Sequence, residues 1–305
     1  MESIKNSRRR VLLYVTIDPY DHRDANRRLC GHGPNLARVH EAAAEWQTDT
    51  VVRDVWCGNV TPRTFDDSTL LALFLSGSYT EWVEVFRRPA WGEMLDGFCN
   101  SIRATSVPIL AACGGHQLVA YAFGGWKAVG HMSAQGAAPV SISEEADGVF
   151  CGPNPRVGEV GTFLYHRAVA DPLFADLADA PDSPLIFSQW HFDQVFEAAL
   201  PVGAVSLVRP TNLKRASFKA EGTEPGSASV HADGRTTAFA RRQVASLEEC
   251  CRTQALRYDV SPVGRVLYTT QFHPDLAGAD AAGNTDHGIA LIHNFQDLAD
   301  RYWLR

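Results

Sequence analysis

The chain has 305 residues, 45% of them hydrophobic and 21% charged, which allows one large core and excludes a wholly disordered protein. A formal net charge of -7 argues against a broad nucleic-acid footprint, which needs a basic face; a small anionic substrate could still be held by a few local positive groups. Seven cysteines, odd in number and unevenly spaced, read as reduced thiols, and no apolar stretch is long enough to span a membrane, so a cytoplasmic protein is expected.

Arg8, Arg9 and Arg10 precede Val11-Leu12-Leu13-Tyr14-Val15, and the apolar run stops at Asp18-Pro19. That is too short for an export signal, so a solvated basic tail leads into a first buried strand over Val11–Ile17. A helix over Leu36–Trp46 and strands over Thr50–Cys57 and Leu70–Leu75 follow, the last running into Ser76-Gly77-Ser78. Val85, Phe86, Trp91, Met94, Leu95, Phe98 and Ile102 then recur near the helical period, with Pro89 dividing the segment into two helices. The short buried strand Val107–Ala112 meets Cys113-Gly114-Gly115, and a helix over His116–Phe123 ends at Gly124-Gly125.

Strand and helix alternating in this order mean parallel βαβ units, hence an α/β protein with a doubly wound, mostly parallel sheet. Sites in such sheets lie beyond the carboxyl ends of the strands, where Cys113 falls. In the second half, Leu185–Gln189, Ala204–Val208, Gln254–Tyr258 and Val266–Phe272 suggest an antiparallel extension of that sheet, and a helix over Asp286–Trp303 closes the chain. Thr211–Leu247 is rich in Gly, Ser and Thr and carries Lys214, Arg215, Lys219, Arg235, Arg241 and Arg242. It reads as a flexible insertion (211–247) in a single domain spanning 1–305.

A cysteine where a buried strand turns sharply into a helix suits a nucleophile, provided its neighbours are small. Here they are Ala111, Gly114 and Gly115. The backbone N–H of Gly114 can face a developing oxyanion, and the helix N-terminus favours a thiolate. Taken alone, Cys-Gly-Gly more often marks a structural cysteine beside a turn. Near the C-terminus, His273-Pro274-Asp275 places a carboxylate two residues from an imidazole, on the same side of an extended segment. Such a carboxylate fixes the tautomer and stabilises the imidazolium formed when His273 takes the thiol proton.

Together these segments resemble a known family. Ala111-Ala112-Cys113-Gly114-Gly115-His116-Gln117 looks like the Gly-x-Cys-x-Gly-x-Gln elbow of the class I (triad) glutamine amidotransferases, and Gln271-Phe272-His273-Pro274-Asp275 like their Gln-Phe-His-Pro-Glu. Ser76-Gly77-Ser78 with Glu81-Trp82 is similar to the family's oxyanion-loop strand. Trp190-His191-Phe192-Asp193-Gln194-Val195 resembles the His-x-Asp segment of the branch related to the glutaminase of GMP synthetase. The resemblance implies a flavodoxin-like fold, a catalytic triad of Cys113, His273 and Asp275, and an oxyanion hole from Gly77 and Gly114. It also implies substrate contacts from Ser78 and Gln117. His191 and Asp193 either line the substrate pocket or fasten a loop.

Three departures stand out: Ala111 replaces the usual glycine, Asp275 replaces the usual glutamate, and no synthetase domain is fused to this sequence. The expected function is an amidase acting on glutamine or a γ-glutamyl amide through a Cys113 thioester, either free-standing or supplying ammonia to a separate synthetase. The alternative from another class is a catalytically silent binding or regulatory protein. Neither Cys30-Gly31-His32 nor Cys250-Cys251 has the paired spacing of a structural zinc site. His287 and His293 read as surface residues, and no metal, cofactor, nucleic acid or membrane is expected.

Overall fold

The computed structural model describes residues 9–18, 32–78, 82, 89–131, 140–141, 157–178, 183–191, 193–210, 217–221, 228–230, 236–243, 253–260, 262, 264–278, 283 and 285–305. In chain order the first strands are β1 (Val11–Thr16), β2 (Val51–Trp56), β3 (Leu70–Leu75), β4 (Ile109–Ala112), β5 (Val129–His131), β6 (Val140–Ser141), β7 (Val157–Arg167) and β8 (Leu185–His191). They are followed by β9 (Gln194–Val195), β10 (Ala204–Pro210), β11 (Ser217–Glu221), β12 (Ala228–Val230), β13 (Thr236–Gln243), β14 (Ala255–Tyr258) and β15 (Leu267–Thr270). The helices are α1 (Gly33–Trp46), α2 (Pro89–Ala104), α3 (Gly114–Gly124) and α4 (Gly288–Trp303).

Five strands in the order β2-β1-β3-β4-β15 are parallel, and β14, β10, β7 and β11 continue the sheet antiparallel. This is the doubly wound sheet with an antiparallel extension that the sequence predicts. Alternate side chains of the central parallel strands β1, β3 and β4 enter opposite cores, as the period of two requires. Leu12, Tyr14, Ala72, Phe74, Leu110 and Ala112 pack with Val39 of α1 and Leu291, Ile292 and Phe295 of α4. Val11, Leu13, Val15, Leu73, Leu75, Ile109 and Ala111 pack with Leu95, Phe98 and Ile102 of α2 and Leu118 and Val119 of α3. Burial on both faces explains why these strands are continuous apolar runs and not alternating ones.

Pro89 stands at the start of α2, where a missing N–H costs nothing. β7 is eleven residues long and was not evident from the sequence, because Gly158 and Gly161 interrupt its apolar pattern. One edge of β7 pairs with β8; the other is shared by β10 and β11. The described parts of the 211–247 stretch are strands: β11 pairs with β7 and β13, and β13 with β12. The rest of that stretch lies outside the described residues.

The far edge of β8 meets the chain just past β15, where the N–H of His273 donates to Ser188 O at 2.8 Å and the two residues form an antiparallel bridge. Backbone pairing therefore closes a ring that runs through β7, β10, β14, β15, residues 271–273 and β8. β5, β6 and β9 form a separate three-stranded sheet.

Candidate active site

Cys113 follows β4 and caps α3 with φ +49° and ψ -107°, a left-handed conformation that is strained for a side chain with a Cβ. Its N–H donates to Thr270 O at 2.7 Å, one step beyond the Thr270–Ala112 pair of the β15–β4 ladder. The N–H of Gly115 donates to Ser76 O at 2.9 Å and ties the first turn of α3 to the end of β3. Both glycines after the cysteine are sterically required. A Cβ on Gly114 would lie 2.5 Å from Ser78 N, and one on Gly115 would lie 2.8 Å from Leu75 O.

The same register brings the histidine segment alongside, because β15 is the parallel neighbour of β4 and His273 lies three residues past its end. His273 Nδ1 is 3.0 Å from Asp275 Oδ1, with Asp275 fully buried and His273 only 8% exposed. Gly77 lies against both Cys113 and His273: a Cβ there would be 2.8 Å from His273 Cε1 and 3.5 Å from Cys113 Cβ. On the remaining side, Cys113 Sγ is 3.5 Å from the carbonyl of Trp190.

Burial by itself would lower the pKa of His273, but the nearby Cys113 and Asp275 outweigh it and hold the imidazole well above its ordinary value. Asp275 is held below the usual carboxylate range; His273, and to a lesser degree Asn35 of α1, override the burial that would raise it. Arg38, one turn further along α1, donates to Pro274 O at 3.2 Å and pairs with Asp286. Asp286 also accepts from the N–H groups of Gly278 at 2.7 Å and Gly288 at 2.8 Å, so the loop carrying the acid is clamped between α1 and α4.

His116 lies closer to the cysteine in sequence but is a poor base. Burial holds its pKa down at about 3, and its Nδ1 is 2.7 Å from Thr269 Oγ1. Gln117 is buried, and its amide is held inside the protein: Trp82 Nε1 donates to Oε1 at 2.6 Å, and Nε2 donates to the carbonyl of Asp193 and, at 3.4 Å, to Gln271 Oε1. His191 and Asp193 are also buried, with His191 Nδ1 2.9 Å from Asp193 O. Ser78 Oγ donates to Asp18 Oδ1 at 2.8 Å.

Asp18, Asn35 and Arg38 were not singled out from the sequence, and His32 was weighed only as part of Cys30-Gly31-His32, since their roles depend on contacts between distant segments. His287 and His293 are not free surface residues. His287 Nδ1 accepts from Ile186 N at 2.9 Å, and His293 Nε2 donates to Ala42 O at 2.8 Å. Among the described residues no cluster of side chains could hold a metal ion, and no helix is long and apolar enough to cross a membrane.

No protein-family profile matches the sequence, and no curated protein matches it. Solved structures do. A putative GMP synthase subunit from Thermoplasma acidophilum superposes with a TM-score of 0.54 at 16% identity, over 97% of this chain and 96% of that one. The glutaminase domain of Trypanosoma brucei CTPS, solved with bound acivicin, superposes with a TM-score of 0.53 at 9% identity, over 94% of each chain. At such low identity the likeness concerns the fold, and the fold is that of the class I glutamine amidotransferases.

Proposed function

We propose that the protein is a thiol-dependent amidase of the glutamine amidotransferase type, which transfers the γ-glutamyl group of glutamine or a γ-glutamyl amide to water or another acceptor. The observation that carries this reading is the strained elbow: Cys113 at φ +49° at a helix N-terminus, beside a buried His273 that is 3.0 Å from Asp275. A left-handed cysteine costs about 1–3 kcal/mol, which makes little sense for a cysteine that only fills space.

In this mechanism His273 takes the Cys113 proton and the sulfur attacks the γ-carbonyl carbon. The carbonyl oxygen becomes an oxyanion that accepts hydrogen bonds from the N–H groups of Gly77 and Gly114. The intermediate collapses, the C–N bond breaks, and His273 gives its proton to the departing amine. A γ-glutamyl thioester remains; water, deprotonated by His273, attacks it and releases glutamate and the thiol. Asp275 holds the imidazole in orientation throughout. Ser78 and the connected Gln117, His191 and Asp193 form the wall against which the glutamyl moiety rests. When glutamine is the donor the amine is ammonia, and a separate synthetase that accepts it is the class of partner this reading implies.

A thiol-reactive glutamine analogue such as acivicin, followed by peptide mass mapping, tests the assignment. One label per chain at Cys113, blocked by excess glutamine and absent in Cys113→Ala, is expected. A folded wild type that never labels would instead be a binding protein.

A further inference from the structure

Asp275 carries its carboxylate on a shorter side chain than a glutamate would, so it reaches His273 only from where the backbone sets it. The backbone there is a turn: the N–H of Leu276 donates to His273 O at 3.3 Å, with Pro274 and Asp275 as the two central residues. Proline at the first central position suits turns of types I and II alike, and the two differ by a flip of the peptide between the central residues. Asp275 keeps a negative φ, as type I but not type II requires. The peptide that distinguishes them holds Pro274 O, Asp275 N and Asp275 Cα in one plane, so turning its carbonyl over re-aims the carboxylate.

The side chain on that carbonyl is Arg38 of α1, whose Nε donates to Pro274 O at 3.2 Å. The guanidinium is itself aligned by Asp286, which pairs with Nη2 and accepts from the N–H groups of Gly278 and Gly288. A Cβ on Gly288 would collide with Pro274 O, so the oxygen fits closely between α1 and the start of α4. Asn35, one turn earlier on the same face of α1, is also buried and helps to hold Asp275 ionised. Against the pull of burial, the shift of His273 comes from Cys113 and Asp275, and that of Asp275 chiefly from His273 and Asn35. The charge of Arg38, paired with Asp286, is not among these causes. Its influence on the pair is therefore one of position.

We infer that Arg38 is a positioning residue: by holding Pro274 O it fixes the central peptide of the turn and keeps the Asp275 carboxylate on His273. This rests on the amidase reading above. Loss of the anchor leaves every reacting group in place but lets the carboxylate wander from the imidazole. A fall in kcat of about 10- to 100-fold is expected, the scale of a catalytic group misplaced by roughly 1 Å.

The experiment compares wild type, Arg38→Met, Asp275→Asn and the double variant in three measurements: glutaminase kcat, the melting temperature, and the NMR titration of the His273 ring, assigned by its loss in His273→Gln. The inference expects Arg38→Met to lower kcat and to move the His273 titration to lower pH, toward that of Asp275→Asn. Added to Asp275→Asn, the same substitution should change neither further, since Arg38 acts through the acid. Additive losses in the double variant, an unchanged kcat in Arg38→Met, or a fall in kcat with the His273 titration unmoved would each overturn it. If Arg38→Met does not fold, Arg38→Lys decides by the same comparison, because one ammonium on Asp286 cannot also reach Pro274 O as the fork does. Wild-type protein that neither turns over glutamine nor labels with acivicin would sink the amidase reading instead. That result is distinct from the others, as the His273 titrations do not depend on turnover and still decide whether Arg38 supports the pair.

Discussion

His273 is enclosed by protein with a thiol on one side and a carboxylate on the other, so its charge is decided by opposed effects. Burial favours the neutral ring, while Cys113 and Asp275 favour the imidazolium and prevail. With its pKa above the ordinary histidine value, the ring holds its proton to higher pH than a free imidazole does. Asp275→Asn removes one of the two supports and leaves burial to pull His273 down. The titration of His273, followed by NMR of its ring protons, should then move to lower pH than in wild type. Turnover should drop by on the order of 10³–10⁴-fold, as when a triad acid is lost elsewhere. An unshifted His273 titration would show that Asp275 does not support the imidazolium. In thiol labelling, Cys57 and Cys99 serve as internal controls: burial pushes Cys57 up to about 12 and Cys99 higher still, so neither should react at neutral pH.

The strand–elbow–helix unit explains both what was readable in the sequence and what was not. Ile109–Ala112, Cys113 and the two glycines could be placed from sequence because apolar run, small residues and helix follow one another directly. The His273–Asp275 pair was readable for the same reason, its members being two residues apart. The Ser78–Asp18 bond spans 60 residues and the Trp82–Gln117 bond spans 35, and neither leaves a local pattern. Strand β7 was hidden because its partners β8, β10 and β11 stabilise it more than its own glycine-interrupted sequence does. In the 211–247 stretch the Gly and Ser content likewise masked β11, β12 and β13.

The elbow also gives a prediction at its own scale. Gly115→Ala would place a methyl 2.8 Å from Leu75 O and 2.9 Å from Leu75 Cβ, against a central strand that cannot yield. A loss of about 1–3 kcal/mol in urea unfolding is expected from the overpacking, together with lower turnover, since β3 and α3 must separate to admit it. Wild-type stability and activity in this variant would show that the two elements are not packed as described.

Across the whole molecule, the parallel strands β3, β4 and β15 supply the site, and the antiparallel extension folds back to reach it through β8. Catalytic residues commonly sit on loops that open locally at little cost. His273 is placed differently, since its amide hydrogen is a link in the closed circuit of backbone pairing through β7, β10, β14, β15 and β8. Opening that link means peeling β8 from residues 271–273 while its other edge remains joined to β7 over seven residue pairs. In deuterium exchange the His273 amide should accordingly be protected nearly as long as the amides of β4, and far longer than those of the exposed turn around Val202. Shortening β8 by deletion, or Ser188→Pro, which bends the strand out of the circuit, should make the His273 amide exchange early while β1 and β3 still hold their protons.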